Sequence, residues 1–214
     1  MKVTILCSSA DHPVNSFLQD WIKEHQREHI IELVRSRSEL SEGDFLFLIS
    51  CSEIIKQEHR AGYNHVLVLH ASDLPQGRGW SPHIWDLIGG ADQITLSLLE
   101  AEDEVDSGRI WKKFHIPVSK TALWYEVNNL LFMAEIQLMT WALENLDSVK
   151  PEKQKDIGVS YYRRRTPEDS KIDPQQTFTD QFDLIRMCDP ERYPAWFEIN
   201  GQKYKIVLEK INDE

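Results

Sequence analysis

Hydrophobic positions in this chain fall into two kinds of run: short, nearly continuous ones and longer ones with a helical period. Val3 to Ser8 reads as a first buried strand. Pro13 to Glu28 reads as a helix, because Phe17, Leu18, Trp21 and Ile22 recur at i, i+1, i+4 and i+5, and Pro13 suits a first helical turn. Ile30 to Val34 is a second strand. Asp44 to Ser50 carries Phe45-Leu46-Phe47-Leu48-Ile49, a run of strand length that predicts burial on both faces, as in a parallel sheet. Ser52 to Arg60 reads as a short helix and Val66 to Leu69 as a fourth strand. Pro82 to Ile88 reads as a helix stopped by Gly89-Gly90. In Gln93 to Glu100, Ile94, Leu96 and Leu98 alternate as in a strand, and Arg109 to Phe114 reads as another. Thr121 to Leu146 is the longest helical stretch, with Leu123, Val127, Leu130, Leu131, Ala134, Leu138 and Trp141 on the period.

Lys150 to Ile157 is polar and contains Pro151, which reads as a linker. A helix is expected from about Phe178 to Met187. A hairpin follows, Ala195–Ile199 and Tyr204–Leu208, turned at Asn200-Gly201, the strongest short hairpin signal. Alternating strands and helices predict an α/β fold, a doubly wound, mainly parallel sheet, over residues 1–149. A small unit of linker, arginine-rich segment, helix and β-hairpin is expected over 150–214.

Composition narrows the function. The 214 residues are 41% hydrophobic and 28% charged, ordinary for a soluble globular protein. No apolar run approaches a bilayer span, and the N-terminus is too strand-like for a signal peptide. Three cysteines without CxxC spacing point to a reducing, cytoplasmic setting and to no metal site. A net charge of −11 argues against a nucleic-acid partner, while Arg163-Arg164-Arg165 leaves room for a local anion site.

The chemistry centres on strand ends. Ser8-Ser9-Ala10-Asp11 follows the first strand where a dinucleotide fold would carry G-x-G-x-x-G, and a Walker A loop is also missing, so NAD and ATP are poor fits. His70 ends the fourth strand and opens the loop HASDLPQGRGWSPHIW. Asp106 lies in the acidic loop after the next strand. If those strands are parallel neighbours, their ends bring the two side chains into one crevice. A carboxylate there would orient the imidazole for moving a proton. The other reading is a loop histidine bonded to backbone beside a solvated acidic run.

His70-Ala71-Ser72-Asp73-Leu74-Pro75, then Arg78-Gly79 and Pro82, resembles the histidine loop of the 10-formyltetrahydrofolate-dependent formyltransferases. Val105-Asp106-Ser107-Gly108 resembles that family's aspartate loop. Tyr161-Tyr162-Arg163-Arg164-Arg165-Thr166-Pro167-Glu168-Asp169-Ser170, with Ile172-Asp173, is similar to its tyrosine- and arginine-rich segment. The three occur in the family's order, and the resemblance as a whole runs from about residue 44 to 197. Trp80, Trp85, Leu184-Ile185-Arg186 and Arg192-Tyr193-Pro194-Ala195 resemble the bacterial sugar N-formyltransferases, in particular the short type associated with pseudaminic-acid-like sugars.

The resemblance implies transfer of a formyl group from 10-formyltetrahydrofolate to the amine of a nucleotide-linked amino sugar. His70 and Asp106 would be catalytic. Ser52, Ile54 and Ile55, with Leu99, Ala101, Asp103 and Val105, would line the pterin's crevice. Ser72, Arg78, Trp80, Arg163, Arg164, Arg165 and Arg186 would face the substrate. The bland counterparts are a salt-bridged surface for the arginine run, packing for Trp80 and Trp85, and a helix C-terminal charge for Arg186. One departure matters: Val68 stands where the family has an oxyanion-donating asparagine, two residues before the histidine. Ser72, a backbone N–H or a water would have to replace it. Asn64 reads as a turn residue. Alternatives are a non-catalytic folate- or sugar-nucleotide-binding relic, a methionyl-tRNA formyltransferase, or a formyltetrahydrofolate hydrolase.

Overall fold

The computed structural model describes residues 1–211. In chain order its elements are β1 (Lys2–Leu6), α1 (Asn15–His25), β2 (Ile30–Val34), β3 (Gly43–Leu48), α2 (Gln57–Arg60), β4 (Tyr63–His70) and β5 (Arg78–Gly79). Then come α3 (Pro82–Ile88), β6 (Gln93–Glu100), β7 (Ile110–Pro117), α4 (Trp124–Glu144), β8 (Tyr161–Tyr162), α5 (Phe178–Arg186), β9 (Ala195–Ile199) and β10 (Gln202–Ile206). Six strands form the main sheet in the order β2-β1-β3-β4-β6-β7. The first four are mutually parallel, β6 runs antiparallel to β4, and β7 antiparallel to β6.

The central strand β3 is apolar on both sides because both sides are covered. Phe45, Phe47 and Ile49 enter the main core with α1 and α4, while Leu46 and Leu48 join a second cluster with Ile55, Val66, Val68 and Ala101. Helix α4 lays Val127, Leu131, Leu138 and Met139 on the sheet and ties to α1 through Trp21 Nε1, which donates to Thr140 Oγ1 at 2.8 Å. At the C-terminal hairpin, Asn200 and Gly201 both take the left-handed conformation that a two-residue turn requires.

Three expectations are corrected. Only Gln57–Arg60 of the stretch from Ser52 is helical. The groups a longer helix would use are taken: Arg37 and Arg60 bind the carbonyls of Ile54 and Ile55, and the Ser52 N–H donates to Ser8 Oγ. The strands carrying His70 and leading to Asp106 are neighbours but antiparallel, with His70 opposite Ser97. The β6–β7 loop folds back to bring Asp106 to the histidine. Lys150 to Ile157 is more than a linker: Glu152 exchanges backbone hydrogen bonds with Ile110, and Gln154 is buried. Residues 212–214 lie outside the described residues.

Candidate active site

A cavity of about 740 Å³ opens where the parallel strands end, as ligand sites in such sheets do. One wall is the stretch from Ser50 to Ile55 after β3 and the loop from Ala101 to Asp106 after β6; the other holds His12, Trp80, His83, α4, Arg164, Arg165 and Arg192. Ser50, Ser81 and Asp106 all line it with positive φ, a conformation non-glycine residues avoid unless the surroundings enforce it.

His70 is 8% exposed. Its Nε2 lies 2.8 Å from the Gly77 carbonyl, and its Nδ1 lies 3.5 Å from Asp106 Oδ1. A carbonyl can only accept, so Nε2 carries a proton. The nitrogen free to gain or lose one is Nδ1, which faces the aspartate. Asp106 Oδ2 accepts from the Gly79 N–H at 2.9 Å. The carboxylate is therefore held from one side and turned toward the imidazole from the other.

A buried network fixes that loop. Arg78 donates to Glu104 Oε1 at 2.8 Å, to Tyr161 Oη at 3.1 Å and to Gln154 Oε1 at 3.1 Å. Gln154 Nε2 in turn donates to the carbonyls of Asp106 and Gly108, both at 2.8 Å. Gly108 sits so close to the Glu100 carbonyl that no side chain fits.

The expected residues divide cleanly. Ser52, Ile54, Ile55, Ala101, Asp103 and Val105 line the cavity, as do His70, Asp106, Trp80, Arg164 and Arg165. Asp103 ties its loop to α2 by accepting from Arg60 at 2.9 Å and from the Gln57 N–H. Leu99 is fully buried in β6 opposite Val68, while Val68 itself reaches the wall. Arg78, Ser72, Arg163 and Arg186 are placed elsewhere, contrary to expectation. Arg78 is spent on the network above. Ser72 is buried, its carbonyl accepting from Ser97 Oγ. Arg163 is ion-paired with Asp169 and lies over the Trp85 ring. Arg186 is wholly buried, tying Asp183 to the Ala122 carbonyl before α4. Trp85 donates to the Arg163 carbonyl and stacks on Tyr162. Asn64 bonds Asp44 at the far end of its strand.

Four cavity or network residues escaped sequence reasoning, Gln154, His12, His83 and Glu135, while Arg192, seen only as part of a resembling motif, also borders the cavity. Burial, then the Arg192 charge, lowers His12 to about 4. Burial, then the charges of His70, Arg165 and His12, lowers His83 to about 4. Burial pushes Glu135 up to about 8. Of these, only Glu135 carried a signal, as an acid four residues after Leu131 and three before Leu138 on an otherwise apolar helix face.

The arrangement is that of the formyltransferase fold. The methionyl-tRNA formyltransferase of Clostridium thermocellum superposes with a TM-score of 0.82 at 22% identity, covering 99% of this chain and 94% of that one. An N-formyltransferase from Helicobacter canadensis, in complex with folinic acid and dTDP-3-aminofucose, superposes with a TM-score of 0.71 at 17% identity, covering 94% of this chain and 85% of that one. In sequence, the methionyl-tRNA formyltransferase of Bacteroides thetaiotaomicron is 30% identical over 150 residues, 67% of this chain and 46% of that protein. Among such curated relatives the chain spans between 46% and 66% of their length. No family model matches the chain.

Proposed function

We propose that the protein transfers a formyl group from 10-formyltetrahydrofolate to the amine of a nucleotide-linked amino sugar. The observation that carries the acceptor class is a set of unpaired arginines. Arg164, Arg165 and Arg192 border the cavity, and among the described residues none has a carboxylate within ion-pair distance, in a chain of net charge −11. Arg164 lies over Trp80, 5.0 Å from the ring centroid, and Trp80 is 44% exposed. Guanidiniums beside an open indole face match a diphosphate joined to a flat base.

The residues present fit a folate. Ile54 and Val105 are exposed apolar side chains on the cavity wall, and Leu48, Ile55, Val68 and Ala101 form an apolar slot beneath them. A flat ring would cover that surface while the backbone of the two segments met its polar edge. Bound there, the co-substrate supplies the activated formyl carbon. The chain's own residues manage protons. With Nε2 held on Gly77, the imidazole exchanges a proton at Nδ1, next to Asp106: Asp106 receives the proton the attacking amine sheds as the new C–N bond forms, and that proton returns through this pair to the donor nitrogen as its bond to the formyl carbon breaks. Donors aimed at a developing oxyanion are worth about 3–4 kcal/mol. Val68 offers none from its side chain, which leaves that task to His70 and neighbouring N–H groups.

The test is formylation, by the purified protein with 10-formyltetrahydrofolate, of UDP-, GDP- and dTDP-linked amino sugars alongside methionyl-tRNA. We expect a sugar to be formylated. Turnover of methionyl-tRNA alone would replace the acceptor in this reading, and folate binding without any transfer would make the chain a binding relic.

A further inference from the structure

The wall of the cavity away from the folate-side segments carries a carboxyl that the chemistry above does not use. Asn128, Leu131, Phe132 and Glu135 follow at helical spacing on α4 and all border the cavity. Glu135 is 6% exposed, and its Oε2 is enclosed with no hydrogen-bond partner among the described residues. An unpartnered polar group at such a depth is a cost to the fold. Its neighbours on the same face, Leu131 and Leu138, are buried and apolar, so packing at this position asks for a hydrocarbon.

Location says what the carboxyl can reach. His12, in the loop between β1 and α1, meets Phe132 with ring centroids 5.7 Å apart, so this part of α4 faces the loop that leaves β1. One strand, β3, separates β1 from β4, whose end carries His70. Strand spacing puts the two ends about 10 Å apart. Glu135 and His70 thus border one cavity from different elements, and Glu135 faces space that the rest of an acceptor held at His70 would enter.

We propose that Glu135 is a specificity residue that hydrogen-bonds a hydroxyl on the body of the acceptor. The proposal rests on the amino-sugar reading and deepens it. Burial keeps the acid protonated at neutral pH, and a protonated carboxyl both donates and accepts, the complement of a hydroxyl. Lining the same cavity, His83 has its Nδ1 enclosed without a partner among the described residues, and burial keeps His83 and His12 neutral. The enclosed carboxyl suits a hydroxyl-bearing group, while Arg164, Arg165 and Arg192, which border the same cavity, suit the phosphates. An apolar side chain such as that of a methionyl group would leave the buried carboxyl unpaired, and sites built to hydrogen-bond a substrate strongly reject analogues that cannot.

The experiment compares the full-length protein with Glu135→Gln and Glu135→Leu. Binding of the same nucleotide-sugar panel and of folinic acid is measured by calorimetry, together with melting temperature and, for any sugar formylated, KM and kcat. We expect Glu135→Leu to weaken acceptor binding about tenfold or more, equal to one lost hydrogen bond of about 1.4 kcal/mol. KM should rise while kcat changes less, folinic acid should bind as before, and melting temperature should not fall. Glu135→Gln should recover most of the affinity. Parental acceptor binding by Glu135→Leu overturns the proposal and leaves the amino-sugar reading standing. So does a matching loss of folinic acid binding, which would place Glu135 on the folate. A wild type that binds no nucleotide sugar overturns both.

Discussion

The imidazole of His70 is pinned by a backbone carbonyl: Nε2 donates to Gly77 at 2.8 Å, seven residues on, at the far side of its own loop. Gly77 has φ +70, and a side chain there would press on Ser72, Tyr162 and Pro82. The loop's turn chemistry therefore sets the tautomer. Asp106, whose Oδ1 is 3.5 Å from Nδ1, stands at the ring's other nitrogen.

His70→Asn and Asp106→Asn should each lower turnover by about 10²–10⁴-fold, the usual contribution of a general acid–base group. Folate and acceptor binding should change little, because both groups act on the transition state. The double variant should be little worse than the poorer single one. Steady-state kinetics with matched binding titrations check this, and transfer that survives both changes would move the chemistry to other residues.

Gln154→Leu should act at a distance. It leaves the carbonyls of Asp106 and Gly108 and a guanidinium N–H of Arg78 without their partner. Denaturant melts should show a loss of about 1–3 kcal/mol for the unsatisfied buried groups. A fall in kcat larger than the rise in KM would mark the misplacement of Asp106; unchanged kcat would make Gln154 purely structural.

Among the arginines, pairing decides the outcome. Arg164→Ala, Arg165→Ala and Arg192→Ala should each leave folate binding intact, and at least one should weaken acceptor binding by about 1–3 kcal/mol. Arg163→Ala is the internal control. Its guanidinium already belongs to Asp169, whose carboxyl that contact holds far below the usual carboxylate range, so acceptor binding should match the parent. The reverse ranking would put the anion site outside the cavity.

Stability should pass through a maximum near neutrality. His12 and His83, lowered from 6.5 to about 4, bind fewer protons folded than unfolded between those values, so stability rises as pH climbs from 4 to 6.5. Glu135, raised from 4.5 to about 8, keeps a proton the unfolded chain has lost, so its contribution falls as pH climbs from 4.5 to 8. Two histidines outweigh one glutamate up to 6.5; above it the glutamate acts alone. Melting temperatures across pH 4–9 should show the rise and the fall, and Glu135→Gln should remove the fall. A fall that persists in that variant would assign it to another group.

Periodicity and turn chemistry made most of the fold legible. Ile30–Val34, Pro82–Ile88 and Gln93–Glu100 carry their boundaries in the sequence, the helix through Pro82 and Gly89-Gly90 and the strands through the end of their apolar pattern. The Ser52–Lys56 segment was not legible, since its backbone is satisfied by Arg37, Arg60 and Ser8 from elsewhere in the chain. Nor was the antiparallel course of β6, as an apolar run has no direction. In the site, His70 and Asp106 stood out by their loops. Arg78 and Arg186 looked like ligand-binding charges, and their burial in internal networks has no local signature. Gln154, an uncharged residue in a polar stretch, gave no sign of its role.

The short parallel pair β5–β8 joins the histidine loop to the arginine segment through main-chain atoms: Arg78 N–H to the Ser160 carbonyl at 2.9 Å and Trp80 N–H to the Tyr162 carbonyl at 3.0 Å. Backbone pairing of this kind is indifferent to which side chains follow. Replacements at residues 163–165 leave these main-chain bonds in place, and remove the side-chain ties of Arg163 to Asp169 and of Arg165 to Ser170 Oγ. Under the proposed function, this pairing would let the arginine segment vary between related proteins while the histidine loop keeps its place.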